Sequence, residues 1–303
     1  MNQSNYSAWP ALSYDEFKST AHLLHMCVQM IGKLKLNTPF EPHWSNVALW
    51  LTSTGLTTGL IPYKKAVFSI DIDFLRHQIS CTTSWGKHNS FDLKSQSVSD
   101  LYDTFLKLLK SMQIDLMINP NPQEIVTPIP FQNDVEMQEY KNDLAKSWWH
   151  ILLNSYRVMQ VYHAKFNGES PPIGLMWGTF DLRDARYNGI VAETTGINSG
   201  YIRRNAMDEG QIEIGWWHGN DAYPKAAYYS YTYPQPKEIE HAKIQPKAAR
   251  WDSSLLEFIL DYEAIRTADD PDKDLLAFFE STYQAGANCA AWNPGLVTSG
   301  HPV

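Results

Sequence analysis

Hydrophobic and polar positions change their period several times along the chain, and each change marks an element. From Ser13, the stretch "SYDEFKSTAHLLHMCVQMIGKLKL" repeats apolar residues at helical offsets. Ser13 with Glu16 three residues on fits a capping box, so a helix is predicted from Tyr14 to about Lys35. Its middle, Leu23, Leu24, Met26, Cys27, Val28, Met30 and Ile31, is apolar almost all the way round, which predicts burial on most of its surface. The period then shortens. "NVALWLTSTGLTTG", "AVFSIDIDFL", "QISCTTSW" and "NSFDL" are β-branched and aromatic runs between Gly, Pro and Asn signals, and they predict an antiparallel meander. "SVSDLYDTFLKLLKSMQ" returns to helical spacing, with Leu101, Phe105, Leu108 and Leu109 on one face.

A proline-punctuated stretch, "INPNPQEIVTPIPFQND", interrupts the pattern and is the expected linker, residues 119–134. The order then repeats. "LAKSWWHILLNSYRVMQVYHAKF" predicts a helix, "PIGLMWGTFDL", "NGIVAET", "QIEIGWW" and "AAYYSYTYP" predict strands, and "DKDLLAFFESTYQAGANCAAW" predicts a closing helix. Strands grouped between helices, without βαβ alternation, indicate an α+β fold. The expectation is a single unit of two similar halves, about 13–118 and 141–292, each an antiparallel sheet with covering helices, in the manner of an internal duplication.

Four polar residues break the apolar first helix. His22, His25, Gln29 and Lys33 recur at offsets of three and four and share a face, which either meets solvent or lines a polar cavity. His43 and Trp44 precede the first predicted strand. They form either a hydrogen-bonded structural pair or a titratable nitrogen beside a flat apolar wall. In "IGLMWGTFDLRDARYNG", strand alternation would put Trp177, Thr179 and Asp181 on one face. Arg186, folding back beyond a turn, would keep Asp181 ionised and offer a planar fork to a carboxylate or phosphate; the alternative is a structural ion pair closing a hairpin. "IEIGWWHGN" adds Glu213, Trp216, Trp217 and His218.

Composition narrows the function classes. The chain has 303 residues and a formal net charge of −8 without a Lys/Arg cluster, which argues against a nucleic-acid partner. Cys27, Cys81 and Cys289 lie far apart, as in a reducing compartment. With neither a leader-like start nor a membrane-length apolar run, the expectation is a cytoplasmic protein with no membrane partner. The 11 Trp, 16 Tyr and 12 Phe suit pocket walls and interfaces as well as cores. The histidines lack HxH or HExxH spacing, so no metal site is expected. No G-x-S-x-G, Walker or Rossmann pattern is present, no motif names a cofactor, and nothing fixes the oligomeric state.

The ordered motifs "WPAL", "TAHLLHMCVQMIGKLKL", "HWSNVALWLTSTGLTT", "FSIDIDFLRHQI", "PFQND", "WGTFDLRDARYNG", "AAYYSYTYPQP", "LEFILDYEAIR" and "STYQAGANCAAW" run from Trp9 to about Trp292. Together they resemble a widespread bacterial family of uncharacterised proteins of roughly this length. The resemblance includes His22, Gln29, Gly32, Lys33, His43, Trp44, Trp177, Phe180, Asp181 and Arg186. The chain departs from the family pattern at "MDEGQIEIGWW", where the family runs Ser-His-Glu before its Gly-aromatic-Trp turn. The resemblance implies one continuous unit and a shared site, without an activity. The functional expectation is therefore a polar, aromatic-walled pocket that binds or converts a small anionic molecule. Lys33 and Arg186 would hold the anion, Trp44 or Trp177 would stack on it, His22 and Gln29 would line the pocket, and His43 or Asp181 would act as general base. The alternative is a non-catalytic protein-interaction module displaying Tyr228, Tyr229, Tyr231 and Tyr233.

Overall fold

The computed structural model describes residues 9–193 and 201–297. Helix α1 (Tyr14–Leu34) is buried along most of its length, as its apolar circumference requires. The capping box does not form: Ser13 makes no side-chain cap, and its carbonyl accepts from Phe17 N at 3.0 Å. Asp15 and Glu16 instead favour the helix start through its dipole.

After α1 come β1 (Trp50–Leu51), β2 (Gly55–Thr57), β3 (Ile61–Tyr63), β4 (Ala66–Asp73), β5 (Gln78–Thr83) and β6 (His88–Asp92), an antiparallel sheet in the order β1-β2-β4-β5-β6, with β3 also on β4. Phe68, Ile70 and Ile72 alternate inward along β4. β7 (Gln96–Ser97) leads into α2 (Val98–Ser111), whose Leu101, Phe105, Leu108 and Leu109 are all buried. Here the cap does form: the Ser97 hydroxyl accepts from Asp100 N at 3.0 Å. β8 (Met137–Gln138) pairs with β7.

The second half opens on α3 (Asn142–His163) and continues through β9 (Gly174–Met176), β10 (Asp181–Val191), α4 (Tyr201–Ala206), β11 (Glu209–Trp217), β12 (Ala227–Tyr233), β13 (Arg250–Asp252), β14 (Glu257–Asp261), α5 (Tyr262–Arg266) and α6 (Pro271–Cys289). Its sheet has the order β13-β14-β12-β11-β10-β9, also antiparallel. The fold is thus α+β with one six-stranded antiparallel sheet in each half. α3 and α6 cover one face of the second sheet. The halves meet where α1 packs on α3, and where Leu49, just before β1, and Leu175, within β9, exchange backbone hydrogen bonds of 2.9 and 2.8 Å. One contiguous apolar core draws residues from both halves.

Two strand predictions need correction. "PIGLMWGTFDL" is not one strand. β9 stops at Met176, the chain turns through Trp177–Phe180, and Asp181 returns opposite Met176. The turn closes with Phe180 N on Met176 O at 2.8 Å and holds Phe180 at φ 61°. "NGIVAET" is not a separate strand either; β10 continues to Val191 across an irregularity in its pairing with β11, and Thr194 lies outside the described residues. The Pro-rich stretch is no free tether but a strap fastened to α1. Gln29 and Gln123 bond reciprocally, with Gln29 Nε2 donating to the Gln123 carbonyl at 2.8 Å and Gln123 N donating to Gln29 Oε1 at 2.9 Å. Lys33 Nζ donates to Asn121 O at 2.9 Å, and Phe131 is fully buried.

Gly32 lets α1 approach the Trp177 turn. A Cβ there would lie 2.2 Å from Cδ1 and Cγ of the buried Trp177 ring. Gly32→Ala is expected to lose about 1–3 kcal/mol of stability by overpacking, read as a lower urea midpoint at unchanged m-value.

Candidate functional site

An open cleft of about 800 Å³ lies between the N-terminal half of α1, the strap and the loop after β11. α1 contributes Tyr14, Lys18, His22 and His25, the strap contributes Glu124 and Asp134, and the turn and β11 end contribute Thr179, Trp217 and His218. His22 Nε2 stands 2.8 Å from Oδ2 of the buried Asp134, an arrangement in which a carboxylate orients an imidazole that itself stays accessible. His25 Nε2 lies 2.9 Å from Gly178 O, so it carries the proton and donates; its ring stacks on Phe180 with centroids 4.9 Å apart. Burial lowers the pKa of His25 to about 4 and that of His218 to about 3, so both are neutral at pH 7. Glu124 is exposed as a residue and has φ 58°, yet its carboxylate packs against Gly178 where a Cβ would sit. Burial of that carboxylate, reinforced by the charge of Asp181, pushes its pKa up to about 7.

Thr179 connects the cleft to a polar face beneath it by donating to Asp181. β10 is buried on both sides from Asp181 to Tyr187, and alternation sends its polar residues in opposite directions. Asp181, Arg183 and Tyr187 point away from the helices, beside Glu213 of β11, Tyr229 and Tyr231 of β12 and Glu257 of β14. Gly215 makes the arrangement possible, because a Cβ there would sit 2.3 Å from the Tyr229 ring and hydroxyl. The Tyr229 oxygen reaches Asp181 Oδ2 and lies 3.0 Å from Glu213 Oε1. One hydroxyl has one proton, so both contacts are hydrogen bonds only when a second proton sits on a carboxyl. That matches Glu213, whose pKa burial pushes up to about 7 despite Arg183 Nη1 at 3.4 Å. Asp181 is shifted upward too, by burial, against the bonds from Thr179 and Tyr229.

The expected site residues do not converge on one pocket. Asp181 and Arg186 form no pair, since five residues of continuous strand put them on opposite faces. Arg186 is buried against the helices, stacked 3.5 Å from the Tyr162 ring centroid and 4.4 Å from that of Tyr283, and it donates to Tyr162 O. Trp177 and Asp181 share no strand wall either, because Trp177 lies in the turn against Gly32. Lys33 is committed to the strap and to the Trp177 ring at 5.5 Å, and burial brings its pKa down to about 8. Gln29 holds the same strap. Of the predicted set, His22 lines the cleft and Asp181 lies one hydrogen bond behind it. Trp44 is buried beside Gln123 and Trp177 at a small hollow. His43 stacks on Tyr187 with centroids 3.4 Å apart, at the opposite end of the polar row from Asp181. Sequence reasoning passed over Glu124, Asp134, Arg183 and Tyr229 as site residues. The available signal was the period-two run Glu213, Gly215, Trp217 facing Tyr229, Tyr231.

Fold and site together define an α+β protein with a proton-sharing carboxylate face behind an open, histidine-lined cleft. The chain belongs to the Family of unknown function (DUF5996), which it matches over residues 9–299. No curated protein and no solved structure matches it.

The displaced pKa values give stability a definite pH dependence. Glu124, Glu213 and Glu257, the last pushed up to about 8 by burial and the charges of Glu213 and Asp181, bind protons more tightly folded than unfolded. Their contribution falls as pH rises from the ordinary glutamate range to about 8. The lowered His25 and His218 act oppositely, but only below about 6.5. His163, raised by its bond to Asp184, adds to the fall. Stability should therefore drop between about pH 6.5 and 8. Glu257→Gln should shrink that drop by at most about 2 kcal/mol, less in proportion to its partial exposure, as read by urea titration at the two pH values.

Proposed function

We propose that the cleft binds a small polar molecule and moves a proton on it, with Glu124 and His22 as the proton-handling groups. The observation that carries this reading is their shared position: an imidazole oriented by Asp134 and a carboxyl titrating near neutrality line the same cleft. The left-handed backbone of Glu124 adds support, because strained residues gather at working sites. Asp181 and Glu213 form a reservoir behind Thr179 that favours retention of a proton near the cleft.

The cleft's charge argues for a neutral or cationic ligand. Glu124, Asp134, Glu136 and Asp221 line it against Lys18, while the two cations assigned to an anionic ligand, Lys33 and Arg186, are engaged elsewhere. The protein-interaction alternative loses its display surface, since Tyr228 and Tyr229 are buried and successive tyrosines face opposite sides of the sheet. Among the described residues no helix is long and apolar enough to cross a membrane. A duplication origin for the halves belongs to the same reading, supported by the long helix and six-stranded antiparallel sheet that each half contains.

Native mass spectrometry of untagged protein should reveal a copurifying small molecule, or a thermal-shift panel of amines, neutral polar compounds and acids should find a stabilising one. Glu124→Gln and His22→Gln, the latter keeping a donor for the buried Asp134, should each weaken its binding about tenfold, roughly the worth of one lost charge-assisted contact, while the apo melting temperature stays close to wild type. Unchanged affinity in both variants would reject the cleft, and stabilisation by acids alone would reject the charge argument.

A further inference from the structure

His43 is more than nine-tenths buried, and neither of its ring nitrogens has a hydrogen-bond partner. It lies in the short helical segment Pro42–Val47, where both His43 and Trp44 take left-handed backbone angles, φ 57° and 56°. Two consecutive non-glycine residues in that region cost stability, and they persist only where the surroundings enforce them. What they achieve is a ring laid flat on Tyr187, interplanar angle 9°, with Nε2 aimed at two carboxylates. Glu169 Oε1 is 3.5 Å from Nε2 and Glu209 Oε2 is 3.8 Å away, too far for hydrogen bonds. One atom from each of the three residues falls within 4.8 Å of the others.

We propose that His43, Glu169 and Glu209 hold a divalent transition-metal ion such as Zn²⁺ or Mn²⁺. Ligand atoms about 2.0–2.2 Å from a tetrahedral ion stand about 3.3–3.6 Å from one another, the range in which Nε2 and Glu169 already lie. One imidazole with two carboxylates suits zinc, manganese or ferrous iron better than calcium or magnesium, which prefer all-oxygen shells. The supporting contacts have the right sense. Glu209 Oε1 accepts from Gly189 N, which turns Oε2 towards His43. The Glu169 carbonyl accepts from Tyr187 N at 2.9 Å, which fixes the loop carrying its side chain. Asp208 Oδ1 stands 3.7 Å from His43 Nδ1, on the side from which a carboxylate steadies a metal-bound imidazole. Three protein ligands leave a coordination position open. The site lies at the far end of the polar row from the cleft and does not depend on the function proposed there.

Untagged protein, stripped with chelator and dialysed against Zn²⁺ or Mn²⁺ alone, tests the proposal by elemental analysis and thermal shift. The expected result is a single equivalent bound at micromolar affinity or better, with a melting temperature that rises with metal concentration. Glu169→Gln combined with Glu209→Gln should lower the affinity at least tenfold and abolish the thermal shift, whereas the exposed His241→Ala should change neither. Should the double variant fail to fold by circular dichroism, Glu169→Gln alone, on a largely exposed side chain, carries the same test. Folded wild-type protein that retains no ion at micromolar metal would overturn the site. Unchanged affinity in the folded carboxamide variants would overturn it as well, by locating the ion elsewhere.

Discussion

Two backbone hydrogen bonds between Leu49 and Leu175 hold the edge of one sheet to the edge of the other. Exposed edge strands invite pairing with other chains, and here each half supplies the partner that the other's first strand needs. The bridge also sets where everything downstream can go. It fixes β9, and β9 fixes the turn at Trp177–Phe180 against Gly32 of α1. From that turn Asp181 starts β10 with its side chain away from the helices, and the polar row follows by alternation.

β10 opens with two acids and two arginines because its first part is covered on both faces. Asp184 and Arg186 serve the helix side, where His163 reaches Asp184 at 2.8 Å and aromatic rings enclose Arg186. Asp181 and Arg183 serve the other. Burying charge is costly unless partners are in place. On the helix side stacking and carbonyl contacts answer that cost, while the opposite face carries more carboxylates than cations and answers it by retaining protons. On the helix side the group that titrates is the imidazole of His163; on the opposite face it is the carboxyls themselves.

The helices were legible because apolar spacing survives burial, as α2 shows with Leu101, Phe105, Leu108 and Leu109 all inside. β10 was legible only in part. Alternation identifies a half-buried strand, but a strand buried on both faces mixes polar and apolar residues on each, so Asp181 and Arg186 looked like neighbours across a turn. The hairpin of β13 and β14 and the short α5 went unpredicted because their runs are brief and carry few turn signals. At the cleft, His22 was readable from the stripe on α1, whereas Glu124 and Asp134 came from a stretch that looked like a tether. Gln29 and Lys33 were seen as pocket lining because nothing local shows that a polar side chain's partner is a distant backbone.

That fastening of the strap has a thermodynamic side. Gln29 presents both ends of its amide to Gln123, as a neighbouring strand would, and Lys33 secures Asn121 one turn further along the helix. The segment carrying Glu124 is therefore ordered before any ligand arrives, and the entropy of ordering it belongs to folding. Association of the proposed ligand would then have mainly the ligand's own lost freedom to overcome. Recognition of the proposed ligand at such a wall would be of the lock-and-key kind, with discrimination exercised by shape and donor placement in the free protein.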